Sequence, residues 1–298
     1  MSSDSTSLDG MTAIVTGAGA GLGRAEALAL AGAGAGVVIN DLADEALAGT
    51  VAAIRELGAE VVPVAGDIGE RATADRLIEA AQRSGGPHIV VNNAGLVRDR
   101  MLFNMTDDDW DLVVKVHLRG HFLLTRNAAA HWRAAAKAAG KPIYGRLINT
   151  SSEAGLLGPE GQANYGAAKA GITTLTLSAA RVLARYGVRA NAICPRARTA
   201  MTESVFGAVG VGADPLDPAH VGTFVSYLAS PAADSVNGQL FVVYGGMVAL
   251  LAAPTVEQRF DAVEGTWTAA DLADRLGGYF ADRDPNRTFS ASDALRLS

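Results

Sequence analysis

Residues 12 to 24 read TAIVTGAGAGLGR, and this stretch decides the fold. Its first five residues form an apolar run that predicts a buried strand, and a helical pattern begins near its last glycine. The glycines between strand and helix belong to a T-G-x-x-x-G-x-G motif: Thr16, Gly17, Gly21 and Gly23. In a strand-turn-helix unit, such glycines let the backbone approach a pyrophosphate at the helix N-terminus. The motif alone can also be an ordinary flexible turn.

The alternation of strand and helix continues beyond this unit. Short runs rich in Val and Ile alternate with longer helical patterns, which is typical of a parallel sheet covered by helices on both faces. We therefore predict an α/β fold with a doubly wound parallel sheet of about seven strands. The predicted strands are 12–16, 36–40, 61–65, 88–92, 145–150, 188–194 and 239–243. The predicted helices are 22–33, 43–57, 70–83, 107–133, 163–186, 218–229 and 269–280.

The chain shows no linker that would divide it. We predict a single domain over residues 1–298, with a core at 8–246 and a C-terminal extension at 247–298. The glycine-rich stretch 207–214 predicts a mobile loop beside a cleft. These features predict one binding site on one folded unit.

Composition and charge exclude several classes of protein. The hydrophobic share of 49% and the charged share of 19% are those of a globular protein. A net charge of -6 disfavours nucleic acid and anionic membranes as partners. Cys194 is the single cysteine, which excludes an internal disulfide and a cysteine-rich metal cluster. With a polar, acidic start and no run of about 20 apolar residues, the chain is predicted to be soluble and cytoplasmic.

Asp41 lies at the end of the second predicted strand, 24 residues after Gly17 (41 minus 17). An acidic residue at this place accepts hydrogen bonds from the adenosine ribose of a dinucleotide. Its carboxylate would also repel a 2′-phosphate, which carries about -1.5 to -2 charges. We therefore hypothesise a preference for NAD over its phosphorylated form. The alternative is an aspartate that caps a helix.

Tyr165 and Lys169 are four residues apart in a segment, 161–176, that is rich in small residues and contains no proline. A helix over this segment places both side chains on one face. A free Tyr titrates near pH 10, so acid-base work near neutrality requires stabilisation of its anion by roughly 2 to 3 pH units, which a neighbouring cation supplies. Ser152, 13 residues before Tyr165 (165 minus 152), adds a hydroxyl that polarises a substrate oxygen. The Tyr–Lys spacing alone is common by chance.

Four features in this order resemble the short-chain dehydrogenase/reductase family: the motif of Thr16 to Gly23, the sequence Asn92-Asn-Ala-Gly95, Ser152, and Tyr165-x-x-x-Lys169. The resemblance covers residues 8 to about 246. It implies a Rossmann-type sheet with bound NAD. It also implies Tyr165 as the acid/base, Lys169 as the residue that holds the nicotinamide ribose, and Ser152 as the group that orients the reacting oxygen.

The resemblance also implies the contacts of the cofactor. Asp67 would contact the adenine, the segment 93–95 would line the adenosine side, and Thr199 would contact the carboxamide. The complete predicted set is Gly17, Gly21, Leu22, Gly23, Asp41, Asp67, Ile68, Asn93, Ala94, Gly95, Tyr165, Lys169, Pro195 and Thr199. Arg196 stands where the family usually has Gly after Pro195. It indicates either a changed pocket entrance or a surface salt bridge.

His117 is a second departure and the fourth candidate catalytic residue. It stands where the family usually has an Asn that holds a proton-relay water. His121 follows it by one helical turn, but the segment lacks the Glu of a zinc-protease helix, so no metal site is predicted. His117 is therefore either a proton relay or a structural histidine between helices.

A closer resemblance links the chain to the (3R)-hydroxyacyl-CoA dehydrogenase portion of the type 2 peroxisomal multifunctional enzyme and its bacterial stand-alone relatives. It is carried by five stretches: 17–24, 98–100, 109–111, 116–120 and 161–165. It implies an NAD-dependent oxidoreductase for a 3-hydroxyacyl-CoA/3-oxoacyl-CoA pair. The alternatives are a hydroxysteroid dehydrogenase, a general ketoreductase, or an NAD-binding sensor or scaffold, which the presence of Ser152, Tyr165 and Lys169 disfavours. The helices 107–133 and 163–186 resemble the family's dimer faces and imply a homodimer or homotetramer.

Overall fold

Eight strands form one sheet in this computed structural model, which describes residues 5–202, 214–262, 265–284, 287–291, 294, 296 and 297. The strands are β1 Thr12–Thr16, β2 Gly36–Asp41, β3 Val61–Ala65, β4 Ile89–Asn92, β5 Gly145–Thr150, β6 Val188–Pro195, β7 Leu240–Tyr244 and β8 Met247–Leu250. Their spatial order is β3-β2-β1-β4-β5-β6-β7-β8, and all neighbours are parallel except β7 and β8. The α/β fold is confirmed, and the antiparallel β8 adds one strand to the predicted seven.

Helices cover both faces of the sheet. They are α1 Gly21–Gly32, α2 Asp44–Glu56, α3 Arg71–Arg83, α4 Asp107–Val114, α5 Gly120–Ala139, α6 Ala154–Leu157, α7 Ala163–Leu183, α8 Pro218–Ala229 and α9 Ala269–Ala281. One buried cluster contains Leu30 of α1 and Val225 of α8. A second cluster contains Leu77 of α3, Leu124 of α5 and Leu183 of α7. Because the sheet is covered on both sides, the central strands β1, β4 and β5 are buried along their whole length.

The prediction of one continuous helix over 107–133 is wrong, because the helix is interrupted and ends later. α4 and α5 are separated by a π-helical turn, Lys115–Arg119, and α5 continues to Ala139. A π turn adds a residue to one turn without ending the helix, and no residue type marks it in the sequence. The Ala-rich end of α5 continues until Gly140, whose φ of 64° closes the helix in the left-handed conformation.

Two buried asparagines join the central strands to the helices. Asn92 at the end of β4 lies directly opposite Asn149 of β5 and donates a hydrogen bond of 2.9 Å to its side-chain oxygen. Asn92 also donates to Thr125 of α5, and Asn149 donates to Thr176 of α7. These bonds fix the two helices against the centre of the sheet.

The chain divides into two compact units, Met1–Leu251 and Ala252–Ser298. The first contains the whole sheet. The second contains α9, which begins with a capping box between Thr268 and Asp271. The single domain 1–298 stays a prediction. The predicted loop 207–214 lies outside the described residues except for Asp214. None of the helices in the described ranges is both long and apolar enough to cross a bilayer.

Candidate active site

The glycine turn between β1 and α1 has no room for side chains at two positions. Gly17 has a φ of 66°, and a Cβ there would lie 2.8 Å from the Cα atom of Ala94. A Cβ on Gly23 would lie 2.2 Å from the carbonyl oxygen of Gly17. Backbone therefore packs directly on backbone where α1 begins, as a site that presents main-chain N–H groups to a pyrophosphate requires. These residues fit a dinucleotide cofactor.

Gly23→Ala should weaken NADH binding and lower Tm, because the new methyl group overlaps the Gly17 carbonyl. Overpacking of this kind costs about 1 to 3 kcal/mol. Gly32→Ala is the matched control, since Gly32 lies in the same helix with no atom within 4 Å of a new Cβ. The control should leave NADH affinity unchanged and raise stability by up to about 1 kcal/mol. Fluorescence titration with NADH and thermal melts measure both effects, and equal NADH affinities would contradict the assigned packing.

Asp41 is held at the edge of the glycine turn. Its Oδ2 accepts a 2.9 Å hydrogen bond from the Gly19 N–H, and its Oδ1 accepts a 2.8 Å bond from the Leu42 N–H. Each carboxylate oxygen keeps a second lone pair for an incoming hydroxyl. The alternative role as a helix cap is wrong for α2, because the N-cap of that helix is Ala43. Asp41 is thus placed to accept hydrogen bonds from a ribose.

Asp67 and Ile68 follow β3 and have different surroundings. Asp67 accepts a 2.8 Å bond from Gly69 N–H and pairs with Lys115 Nζ at 2.9 Å. Burial raises the pKa of Asp67, but the bonds from Lys115 and Gly69 outweigh burial and the net pKa is lowered. The side chain of Ile68 is buried in the core. The structure thus places an ionised carboxylate at the predicted adenine position.

The segment 93–95 is tied to the end of β1. Thr16 Oγ1 accepts hydrogen bonds from the backbone N–H groups of Asn93 and Ala94, at 3.0 and 3.1 Å. The Asn93 side chain donates to the Thr16 carbonyl at 3.1 Å. β1 and β4 are neighbours at the point where the sheet order reverses, and nucleotide sites in such sheets lie at this crevice.

Tyr165 lies in the first turn of α7 and is fixed by a neighbour that the sequence prediction missed. Asn164 is fully buried, accepts a 2.7 Å bond from the Tyr165 N–H, and donates to the carbonyls of Arg98 and Asp109. The Ser152 hydroxyl lies close enough to the phenol to lower the pKa of Tyr165 in part. The predicted pair of Ser152 and Tyr165 is therefore brought together.

The charge balance at Tyr165 differs from the predicted one. Burial raises the pKa of the Tyr165 phenol, the Ser152 hydroxyl lowers it in part, and Cys194 and Asp99 raise it further. Lys169 Nζ lies 5.4 Å from the centre of the Tyr165 ring and donates a 2.6 Å bond to the Thr150 carbonyl. Burial lowers the pKa of this ammonium to about 7. Desolvation thus outweighs the stabilisation of the phenolate that the helical spacing of the pair predicts.

Glu26 of α1 is a buried acid that no motif indicated. It is fully buried, and neither carboxyl oxygen has a hydrogen-bond partner in the described part of the chain. Burial raises the pKa of Glu26 to about 8, and the charge of Lys169 lowers it in part. The folded protein therefore holds Glu26 protonated at neutral pH.

Protonated Glu26 makes stability depend on pH. The pKa of Glu26 rises from 4.5 to about 8 on folding, so its contribution is complete below pH 4.5 and is lost as pH rises toward 8. Between pH 4.5 and 7 the free energy of unfolding should fall by about 1 kcal/mol per pH unit through this group. Glu26→Met should remove that slope and raise stability at pH 7. Denaturant unfolding at several pH values measures it, and an unchanged slope would exclude a buried neutral Glu26.

His117 lies in the π-helical turn and contacts both the 93–95 segment and Tyr165. Its Nε2 lies 2.7 Å from the Leu96 carbonyl oxygen, and its ring packs edge-on against Tyr165 with centroids 5.2 Å apart. A Cβ on Gly95 would lie 2.2 Å from its Cε1. Burial lowers the pKa of His117 to about 3, so the ring is neutral. These contacts support the structural alternative, and the proton-relay role stays a prediction.

The stretch after β6 faces the glycine turn. A Cβ on Gly21 would lie 3.2 Å from Cγ2 of Thr199. Arg196 forms a salt bridge with Glu153, with both contacts at 2.8 Å, and Arg198 pairs with Asp214 at 2.9 Å. Of the two alternatives for Arg196, the structure shows a salt bridge, which is partly buried rather than on the surface.

The candidate residues meet at the carboxyl ends of the parallel strands. The 93–95 segment follows β4, Ser152 follows β5, and Pro195 ends β6. α7 brings Tyr165 and Lys169 to the same edge. A phenol, a hydroxyl and an amine beside a glycine turn can hold a dinucleotide and move a proton at a substrate oxygen.

Comparison with known proteins agrees with this chemistry. The family model for short chain dehydrogenases matches residues 11–208. Hydroxyacyl-CoA dehydrogenase ChsB1 of Mycobacterium tuberculosis is 60% identical over 98% of this chain and 96% of its own. Peroxisomal multifunctional enzyme type 2 of Mus musculus is 39% identical over 82% of this chain and 33% of its own. The crystal structure of a short chain dehydrogenase from Mycobacterium avium superposes with a TM-score of 0.84 at 40% identity, covering 95% of this chain and 99% of that one.

Proposed function

This chain belongs to the short-chain dehydrogenase family, and we propose that it oxidises 3-hydroxyacyl-CoA thioesters to 3-oxoacyl-CoA with NAD as cofactor. The family and its fold generally use NAD(P), and an alcohol/ketone oxidoreductase follows from the family and its relatives. The observation that carries the substrate class is the 60% identity, over nearly the whole chain, with a protein named as a hydroxyacyl-CoA dehydrogenase. The choice of NAD rests on Asp41.

Several residues would hold the cofactor. The glycine turn would hold its pyrophosphate, Asp41 would accept from its adenosine ribose, and Lys169 would donate to its nicotinamide ribose. When bound, the nicotinamide supplies the acceptor for a hydride from the carbinol carbon. Asp67 and the 93–95 segment would line the adenosine side, and Thr199 would contact the carboxamide.

Two side chains of the protein, Tyr165 and Ser152, would act on the substrate hydroxyl and its proton. Tyr165 takes the proton of the substrate hydroxyl as the carbonyl forms, and Ser152 donates a hydrogen bond to the same oxygen. In the reverse direction Tyr165 returns the proton. The raised pKa of Tyr165 favours its protonated form, so removal of the substrate proton requires a positive charge close to the phenol. Lys169 supplies it only while protonated, since burial lowers its pKa to about 7.

A screen by NADH absorbance tests the substrate class. Purified protein with NAD is assayed against 3-hydroxyacyl-CoAs of several chain lengths, hydroxysteroids without CoA, and simple secondary alcohols. We expect the highest kcat/KM with a 3-hydroxyacyl-CoA. A higher kcat/KM with a free hydroxysteroid would replace the acyl-CoA proposal with the steroid alternative, and turnover of simple alcohols alone would indicate a general ketoreductase.

We also propose a homodimer or homotetramer. Large apolar side chains are exposed on the outer faces of α5 and α7, where Phe122 is 43% exposed and Leu177 is 37% exposed. Val182 near the end of α7 is 58% exposed. Pairing of these helices between subunits would bury such residues.

A further inference from the structure

Glu153 and Arg196 each directly follow a candidate site residue in the sequence. Glu153 follows Ser152, and Arg196 follows Pro195. Their side chains meet in two parallel contacts, Nε to Oε2 and Nη2 to Oε1, each of 2.8 Å. The side chains are 14% and 19% exposed. A paired guanidinium and carboxylate of this kind fix both distance and orientation.

The ion pair connects two segments that leave the sheet in different directions. The backbone N–H of Ser151 donates to the Ile193 carbonyl at 2.7 Å, which continues the ladder between β5 and β6. Beyond it, Arg196 N–H donates to Val243 on β7, while the Glu153 carbonyl accepts from Leu156 and Leu157 inside α6. The Glu153–Arg196 contact therefore joins the two segments where their backbones have turned to other partners.

The segment on the Glu153 side carries the Ser152 hydroxyl. Ser152 Oγ accepts a 3.1 Å bond from the Ala154 N–H, and the hydroxyl lies near the Tyr165 phenol. The segment on the Arg196 side leads to Thr199 beside the glycine turn. The ion pair that joins the two segments therefore sets the position of the Ser152 hydroxyl relative to the Tyr165 phenol and to the cofactor contacts.

Resting on the proposed function, we propose that the Glu153–Arg196 ion pair is a positioning device that holds the Ser152 hydroxyl beside the Tyr165 phenol. Neither side chain is a catalytic residue in this arrangement. Each acts through Ser152, so its removal should reduce the rate of the chemical step more than the affinity for the cofactor.

Three variants test the role of the Glu153–Arg196 ion pair: Glu153→Gln, Arg196→Met and the double variant. A misplacement of about 1 Å at a reacting group costs roughly 100-fold in rate, so kcat should fall about 10- to 100-fold in each single variant. The kcat of the double variant should lie within about threefold of the kcat of each single variant, because all three lack the same contact. The dissociation constant of NADH should change little. With a substrate deuterated at the carbinol carbon, the isotope effect on kcat should increase as hydride transfer becomes slower.

Arg189→Met is the matched control. Arg189 lies at the other end of β6 and forms a similar ion pair with Asp234, with Nη2 3.2 Å from Oδ2. Its loss should affect Tm without affecting kcat or the isotope effect. Equal kcat losses in Arg189→Met and Arg196→Met would show a general effect on stability and overturn the positioning role. A kcat loss in the double variant equal to the product of the two single losses would overturn the positioning role as well.

The kinetic comparison uses whichever substrate the wild-type protein oxidises fastest. If that substrate is not a 3-hydroxyacyl-CoA, the proposed substrate is wrong while the comparison of variants stays valid. A crystal structure of Glu153→Gln, which preserves the shape of the side chain, needs no substrate. We expect the distance between the Ser152 and Tyr165 oxygens to be larger in this variant than in a crystal structure of the wild-type protein, and an unchanged distance would overturn the inference.

Discussion

Replacing Tyr165 by Phe should reduce kcat by about 10²- to 10⁴-fold, the range that a positioned acid/base contributes. The ring would keep its place beside His117, since the edge-on contact does not involve the hydroxyl. Only the group that exchanges the proton is lost. NADH affinity should therefore remain close to that of the wild-type protein.

Tyr186→Phe is the control for the loss of a phenol. Tyr186 lies in the 3-10 turn directly after α7, near the arginines Arg133 and Arg185 and at the far end of the helix from Tyr165. Its hydroxyl contacts none of the candidate site residues in the described part of the chain. Steady-state kinetics and NADH titration compare the two variants. Retention of more than about a tenth of the wild-type kcat in Tyr165→Phe would refute its role as the acid/base.

Wild-type protein should use NAD with a kcat/KM roughly 100-fold or more above that for NADP. A unit charge pair at about 4 Å interacts by about 4 kcal/mol at an effective dielectric constant of 20, and each 1.4 kcal/mol is about tenfold. The Asp41 carboxylate cannot swing away from a 2′-phosphate without losing its bonds to the Gly19 and Leu42 N–H groups. Repulsion should therefore be expressed almost fully in the binding of NADP.

Asp41→Asn should reduce this discrimination by at least about tenfold, mainly through better use of NADP. The amide oxygen can still accept from Gly19, while the amide nitrogen can donate to a phosphate. Asp44→Asn is the control, because Asp44 is an exposed acid in the first turn of α2, close to Asp41 in sequence. If both substitutions changed the cofactor ratio equally, general surface charge would explain it. Equal kcat/KM values for NAD and NADP in the wild-type protein would contradict the proposed preference for NAD.

The sequence predicted the first half of the sheet closely because its signals are local. A buried run, a glycine turn and a helix follow each other within 20 residues, and β1 spans Thr12–Thr16 as predicted. The spacing of Tyr165 and Lys169 likewise requires only that α7 is a helix. Patterns confined to one element are independent of how the elements pack.

β8 was missed although a signal was present. Gly245 and Gly246 stand between two apolar runs, a pattern typical of a tight hairpin. The predicted core ends at residue 246 and leaves the second apolar run outside the sheet. The hairpin they form pairs Tyr244 with Met247.

The remaining differences depend on contacts between distant residues. Lys115 pairs with Asp67, which lies 48 residues earlier in the chain. Arg196 reaches Glu153 across 43 residues. The burial of Glu26 depends on how α1 packs onto the sheet, and a charged residue within an amphipathic helix is normally assigned to its solvent face. Sequence spacing alone carries no information on these partners.

The Asn92–Asn149 pair has a consequence for how the chain avoids misalignment during folding. β4 and β5 are parallel and have apolar residues on both covered faces of the sheet, so those apolar side chains alone would tolerate a shift of one strand along the other. A shift by one residue would separate the two amides and leave them buried without each other. It would also displace Ser152 by about 3.3 Å relative to Asn93, far beyond a hydrogen bond. The same pair of amides therefore fixes the register of β4 and β5, and with it the position of Ser152 relative to the nucleotide crevice.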